Sequence, residues 1–138
     1  MPLPPPLKKG AVVYMRHRSV LSTKPHFCIL LNCHDDPDSV ILLSVITSQV
    51  EKRKQRNTAI GEDPRVIVDI SPNDYPELTV DSAVDCSSVI KTSRATLEID
   101  AKTAKRKTDI PKSVLEKIIV GVLVCKTVPE AYKKLLRS

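Results

Sequence analysis

The first part of the chain alternates short apolar runs with polar segments that contain proline. Apolar and β-branched residues fill positions 11–15, 27–31 and 40–46, and each run has the length of a β-strand. The second and third runs are almost continuously apolar, which is typical of strands covered on both faces. Turn-forming residues occupy positions 34–39 between them and predict that these two strands form a hairpin.

The middle of the chain loses this apolar pattern. Residues 47–64 are polar, basic and poor in apolar side chains, so we predict a long surface loop there. Residues 65–70 restore a strand pattern, and a turn cluster follows at 71–76. A further strand is predicted at residues 83–90.

The last third changes to a helical pattern. Within residues 112–125, apolar side chains recur at the i, i+3, i+4, i+7 and i+8 spacing of one helix face: Leu115, Ile118, Ile119, Val122 and Leu123. A strand over residues 117–124 is the competing interpretation, because β-branched residues are frequent there and Gly121 lowers helix propensity. We favour the helix. A Thr-x-x-Glu capping box predicts a second helix over residues 128–136.

The 138 residues provide enough chain for one domain, and a hydrophobic fraction of 41% excludes a disordered protein. We predict a Pro-rich tether over residues 1–9 and a single domain over residues 10–138. No apolar run approaches the roughly 20 residues that cross a bilayer, and the start lacks the features of a signal peptide. A cytoplasmic protein with reduced thiols and no membrane partner is therefore expected.

Basic side chains outnumber acidic ones and are clustered. The chain has 22 Lys and Arg against 16 Asp and Glu, a formal net charge of +6. The clusters are Arg16, His17 and Arg18; Lys52, Arg53, Lys54 and Arg56; and Lys102, Lys105, Arg106 and Lys107. Each cluster alone is compatible with a solvated loop, but together they favour a polyanionic partner.

Several familiar kinds of site are excluded by residue counts. Three Gly cannot supply a P-loop or a dinucleotide-binding fingerprint. The four Cys include no Cys-x-x-Cys pair, and Cys28 and Cys33 are predicted to point to opposite faces of one strand. We therefore expect buried thiols, no metal site and no cofactor. No Gly-x-Ser-x-Gly nucleophile motif is present.

Four short motifs follow one another in a suggestive order. They are the run at residues 10–14, Lys24-Pro25 before the run at 27–31, Thr47-Ser48 at the end of a strand, and Ile90-Lys91-Thr92. This order resembles the MazF/PemK toxins, small endoribonucleases of bacterial toxin–antitoxin pairs. There the corresponding motifs are an opening strand, Arg-Pro before a strand, Thr-Ser, and Ile-Arg-Thr.

The resemblance implies a mainly β fold, a small SH3-like barrel with C-terminal helices. It also implies a metal-independent endoribonuclease that acts on single-stranded RNA without a cofactor. By the same resemblance the protein would be a homodimer, neutralised by a small antitoxin whose acidic or apolar tail fills the RNA groove.

The chemistry of RNA cleavage needs a base for the 2′-hydroxyl, an acid for the leaving 5′-oxygen, and donors or cations for the transition state. By resemblance, Lys24 would lie at the reacting phosphate, and the Thr47 and Ser48 hydroxyls would donate to its oxygens. Asp85 lies in the strand from which the family supplies catalytic polar residues, and Lys91 or His17 are candidates for a missing acid or stabiliser. The predicted RNA-binding residues are Arg16, His17, Arg18, Lys52, Arg53, Lys54 and Arg56.

Two departures from the family pattern leave alternatives open. Lys24 replaces an Arg whose bidentate fork it cannot reproduce, and the strand near Asp85 offers no Arg. A catalytically degenerate module that binds RNA or protein is therefore the second hypothesis. An unrelated β-plus-helix protein that acts through protein contacts is the third.

Overall fold

The computed structural model describes residues 7–16, 24–34, 36–102 and 104–137. Within these ranges the strands are β1 (Val12–Met15), β2 (His26–Leu30), β3 (Val40–Thr47), β4 (Ile67–Ile70), β5 (Ser82–Ser93) and β6 (Lys105–Lys107). The helices are α1 (Val50–Ala59), α2 (Arg94–Ala101), α3 (Lys112–Val124) and α4 (Glu130–Arg137). A 3-10 turn, Pro64–Val66, leads into β4.

The strands form one antiparallel sheet in the order β4-β5-β3-β2-β1-β6. The predicted hairpin of β2 and β3 is confirmed, with Cys28 opposite Val45 and Leu30 opposite Leu43. Both faces of its central strands are buried, as their continuous apolar runs predict.

The fold is mixed α/β rather than mainly β, and the sheet remains open, so the predicted SH3-like barrel is wrong for this chain. Its two edges, β4 and β6, do not pair with each other. Side chains of the segment after β4 connect to the end of β6 instead. The buried Tyr75 donates its hydroxyl to the carbonyl oxygen of Thr108, and the Thr108 N–H donates to Glu77 Oε2 at 3.1 Å. Because β6 has only three residues, all paired to β1, the two edges are linked by side chains rather than by a ladder.

The two C-terminal helices are confirmed, and α3 covers one face of the sheet. Ile118 and Val122 are fully buried in a core cluster formed with β1 to β5. A Cβ built at Gly121 would lie 2.6 Å from the carbonyl oxygen of Arg65 and 2.6 Å from Cys86 Sγ. Gly121 therefore permits close contact between α3 and the strands, and this contact explains a residue that otherwise weakens the helix.

The predicted loop over residues 47–64 is wrong, because α1 occupies most of it. Lys, Arg, Glu and Gln are good helix formers, although they give no apolar stripe. Polar contacts attach this helix to the domain. Asn57 is buried and donates from Nδ2 to the carbonyl oxygen of Asp63 at 3.3 Å, and Arg53 pairs with Asp85 at 3.4 Å.

Two further elements went unpredicted. Helix α2 follows β5 directly; the Ser93 side chain caps it by accepting the Thr96 N–H, and Leu97 fills a second core cluster on the other face of the sheet. The basic block near residue 105 contributes β6, which pairs with β1.

The predicted tether over residues 1–9 is described only from Leu7 onward, and Leu7 packs against the second cluster. Within the described ranges, none of the helices combines the length and the apolar character that crossing a membrane requires.

Candidate functional site

An open groove with a volume of about 1310 Å³ lies where β1 and β3 end and β2 begins. A bend in β5 shapes one wall. Ser44 of β3 pairs with Val89 of β5, and Ile46 pairs with Val84. Residues 85–88 of β5 therefore lie opposite a single residue of β3, Val45, and form a bulge. Such a bulge bends the strand and redirects its side chains.

Four of the five predicted catalytic residues line this groove. Lys24 comes from the segment before β2, Thr47 and Ser48 from the end of β3, and Lys91 from β5 after the bend. The Thr47 Oγ1 accepts the N–H of Gln49 at 3.1 Å, which fixes the turn between β3 and α1. Residues distant in sequence therefore converge on one surface.

Positive charge dominates the groove. Its described lining contains five cationic side chains, Lys24, Lys52, Arg53, Lys91 and Lys107, and one carboxylate, Glu77. Glu77 is already used as an acceptor for the Thr108 N–H. A cleft lined by one sign of charge concentrates ligands of the opposite sign.

Helix α1 divides the second basic cluster between two surfaces. Lys52 and Arg53 line the groove, and Lys52 also lines a second cavity. Lys54, which lines that second cavity and not the groove, has its Nζ 3.1 Å from the carboxylate of Asp69. Arg56 is exposed and is not part of the groove lining. Lys54 and Arg56 therefore lie outside the groove lining, because neighbouring positions on a helix face different directions, and their predicted role in RNA binding stays a prediction.

The structure describes one residue of the first basic cluster, Arg16. Arg16 is exposed at the end of β1 and does not line the groove. His17 and Arg18 lie outside the described residues.

Asp85, the fifth predicted catalytic residue, lies behind the groove wall. It is 7% exposed and does not line the groove. Its Oδ1 accepts the N–H of Ser87 at 3.0 Å and the Ser87 hydroxyl at 2.6 Å, while Oδ2 lies 3.4 Å from Arg53 Nη1. Asp85 therefore reaches the groove through Arg53, and its role in catalysis stays a prediction.

The groove also contains side chains to which the sequence assigned no role. Tyr14 and Phe27 stand opposite each other on β1 and β2, with ring centroids 4.8 Å apart. The adjacent His26 lines the groove too, and its buried Nε2 makes no hydrogen bond within the described part of the chain. The register of β1 against β2 would have revealed the aromatic pair, but residue spacing alone does not set that register.

The thiols belong to the core rather than to the groove. Cys28, Cys86 and Cys125 are buried, and Cys33 is partly buried. Burial raises the pKa of Cys28 to about 12 and raises that of Cys86 as well. Among the described residues, no group of three or more His, Cys, Asp or Glu side chains is arranged to hold a metal ion.

The chemistry of the groove is the basis for inferring function. No model of a known protein family matches the chain, and no curated protein sequence matches it.

Proposed function

We propose that the protein binds single-stranded RNA in the basic groove and cleaves it without a metal ion. The observation that carries the proposal is the convergence of Lys24, the Thr47-Ser48 pair and Lys91 in one groove. These side chains come from three separate parts of the sequence. The RNA-cleavage hypothesis needs Lys24 and the Thr47-Ser48 pair at one phosphate, and Lys91 is a candidate for the further acid or stabiliser.

Binding would use the groove cations. Lys52 and Lys91 are exposed and form no ion pair within the described ranges, so both ammonium groups are available to phosphates. Of the first turn of α1, Lys52 lines this groove, whereas Val50 and Glu51 line the second cavity.

Cleavage would proceed by attack of the RNA 2′-oxygen on the adjacent phosphorus: the hydroxyl loses its proton to a base, the bond from phosphorus to the 5′-oxygen breaks, and that oxygen takes up a proton, which leaves a 2′,3′-cyclic phosphate. Lys24 and Lys91 would stabilise the charge that develops on the phosphate oxygens, and the Thr47 and Ser48 hydroxyls would donate hydrogen bonds to them. Asp85 would act as a positioning residue because it holds Arg53 at the groove wall. His26 also lines the groove, and its imidazole is the candidate group for proton transfer to and from the RNA.

A second candidate is an RNA-binding module that does not cleave. It is supported by the engagement of the nearby carboxylates: Asp85 is held by Arg53 and Ser87, and Glu77 by Thr108. Both carboxylates already accept hydrogen bonds from the protein, and Asp85 does not line the groove. The presence of Lys24 in place of an Arg points the same way.

The resemblance to MazF/PemK toxins also supplies proposals about partners. A homodimer and a small antitoxin would accompany the endoribonuclease activity. The basic groove favours an acidic tail over an apolar one as the inhibitory segment, because burying five cations against apolar side chains is unfavourable.

The test is to incubate the full chain with a mixed-sequence single-stranded RNA in EDTA, measuring binding by fluorescence anisotropy and cleavage on a denaturing gel. We expect binding and cleavage, with cleavage lost in Lys24→Ala and Thr47→Ala. Binding without cleavage would establish the second candidate. No binding at low salt, where phosphate contacts are strongest, would reject both and leave a protein that acts through protein contacts.

A further inference from the structure

We propose that Tyr14 and Phe27 form a stacking subsite for one nucleobase of the bound RNA strand, with Lys107 beside it for the adjoining phosphate. The inference rests on the proposed binding of RNA and names the part of the groove that recognises a base rather than the backbone. It is independent of whether the strand is cleaved.

The two rings form a preorganised surface. They face each other across β1 and β2 as a cross-strand pair, with centroids 4.8 Å apart and planes inclined by 42°. Behind them, Tyr75 is 1% exposed and meets Phe27 edge-on at a centroid distance of 6.2 Å. This support from the core holds Phe27 in place, so that little side-chain entropy is lost when a ligand binds.

Both rings remain accessible from the groove. Tyr14 and Phe27 are each only partly buried and both line the groove wall. The Tyr14 hydroxyl makes no hydrogen bond within the described part of the chain, and it is not a buried atom, so it can pair with a base edge or a ribose hydroxyl.

Charge next to the rings defines the ligand. The Lys107 ammonium lies over the Tyr14 ring, 5.7 Å from its centroid, and Lys24 lines the groove two residues before β2 begins. An apolar ligand would leave these cations poorly solvated. A planar base joined to a phosphate satisfies both the rings and the lysines, and single-stranded nucleic acid offers that combination with its bases unpaired.

The test compares a short single-stranded RNA with an abasic oligonucleotide of equal length and charge, by fluorescence anisotropy at low salt. We expect the RNA to bind at least about fivefold more tightly, since stacking on an aromatic side chain contributes that much per base. Tyr14→Leu should abolish this preference, because it weakens binding of the RNA far more than binding of the abasic strand. Tyr14→Phe, which keeps the ring, should retain the preference.

Folding is checked by thermal denaturation of each variant. Should Tyr14→Leu fail to fold, Phe27→Trp provides the same test, because stacking of a base on the new indole quenches the fluorescence of a chain that has no Trp of its own. An unquenched indole in the RNA complex would overturn the subsite.

The outcomes separate the two proposals. Equal affinity for RNA and the abasic strand would overturn the stacking subsite but leave polyanion binding intact. Absence of binding to either strand at low salt would overturn the proposed function itself. AMP that binds as tightly as the oligonucleotide would overturn the assignment to a strand and identify a free nucleotide as the ligand.

Discussion

Arg53 extends from α1 to Asp85 at the bend of β5, with 3.4 Å between Nη1 and Oδ2. The Asp85 side chain is 9% exposed and that of Arg53 is 31% exposed. This contact joins the helix that brings Lys52 to the groove with the strand that brings Lys91. A carboxylate that the sequence singled out as catalytic therefore connects two walls of the candidate site.

Replacing Asp85 tests how much the contact between Arg53 and Asp85 stabilises the folded protein. Asp85→Ala removes the acceptor for Arg53 and Ser87 in a mostly buried setting, so we expect the free energy of unfolding to fall by about 1–3 kcal/mol. Urea denaturation measures the change. The matched control is Asp69→Ala, which removes the exposed partner of Lys54 on the same helix and should cost less than about 1 kcal/mol. Equal losses would contradict the anchoring role of Asp85.

Two neighbouring lysines of α1 should differ in their effect on RNA binding. Lys52 lines the groove, and Lys54 is paired with Asp69 beside the second cavity. Lys52→Gln should weaken binding and flatten the dependence of log K on log salt by about 0.7, the value expected for one phosphate contact with a single strand. Lys54→Gln carries the same charge change and should leave that slope unaltered. A flattened slope for both would show that only overall charge matters.

Lys24→Arg is expected to increase RNA cleavage. A guanidinium presents a planar fork that matches two phosphate oxygens, whereas the ammonium of Lys24 acts as a point charge. Single-turnover cleavage in EDTA measures the change, with Lys24→Ala as the inactive comparison. A slower Lys24→Arg variant would argue against Lys24 at the reacting phosphate.

Gly121→Ala should destabilise the protein even though alanine is the better helix former. The added Cβ would lie 2.6 Å from the carbonyl oxygen of Arg65 and from Cys86 Sγ, so α3 must shift away from the strands. We expect a loss of about 1–3 kcal/mol in the free energy of unfolding, as for other overpacked cores. Val120→Ala, at the adjacent and 43% exposed position, should change stability far less. Calorimetry or urea denaturation distinguishes the two.

The four thiols should react at different rates with a disulfide reagent. The thiolate is the reactive form, and burial keeps Cys28 protonated at pH 8 because its pKa is raised to about 12. Burial raises the pKa of Cys86 in the same direction. We expect the partly buried Cys33 to react first and the other three thiols only after unfolding. Cys33→Ser should remove the fast phase; a fast phase that persists would place another thiol at the surface.

Local sequence patterns predicted the elements that bury apolar side chains. Strands β2 and β3 follow from their continuous apolar runs, and α3 from the spacing of Leu115, Ile118 and Val122. The same approach missed α1, because polar contacts such as those of Asn57 and Arg53 attach it to the domain. Apolar periodicity reports only the elements that bury an apolar face.

The candidate site was predictable only in part, because contacts between distant segments bring its residues together. Thr47, Ser48 and Lys24 could be selected from short motifs, but their meeting in one groove depends on the pairing of β1, β2, β3 and β5. Strand pairing also places Tyr14 against Phe27 and leaves the sheet open between β4 and β6. Sequence by itself determined the apolar strands, the two C-terminal helices and the basic character of the chain. Tertiary structure alone decided which cations share a surface, because register and helix docking are set by contacts between residues far apart along the chain.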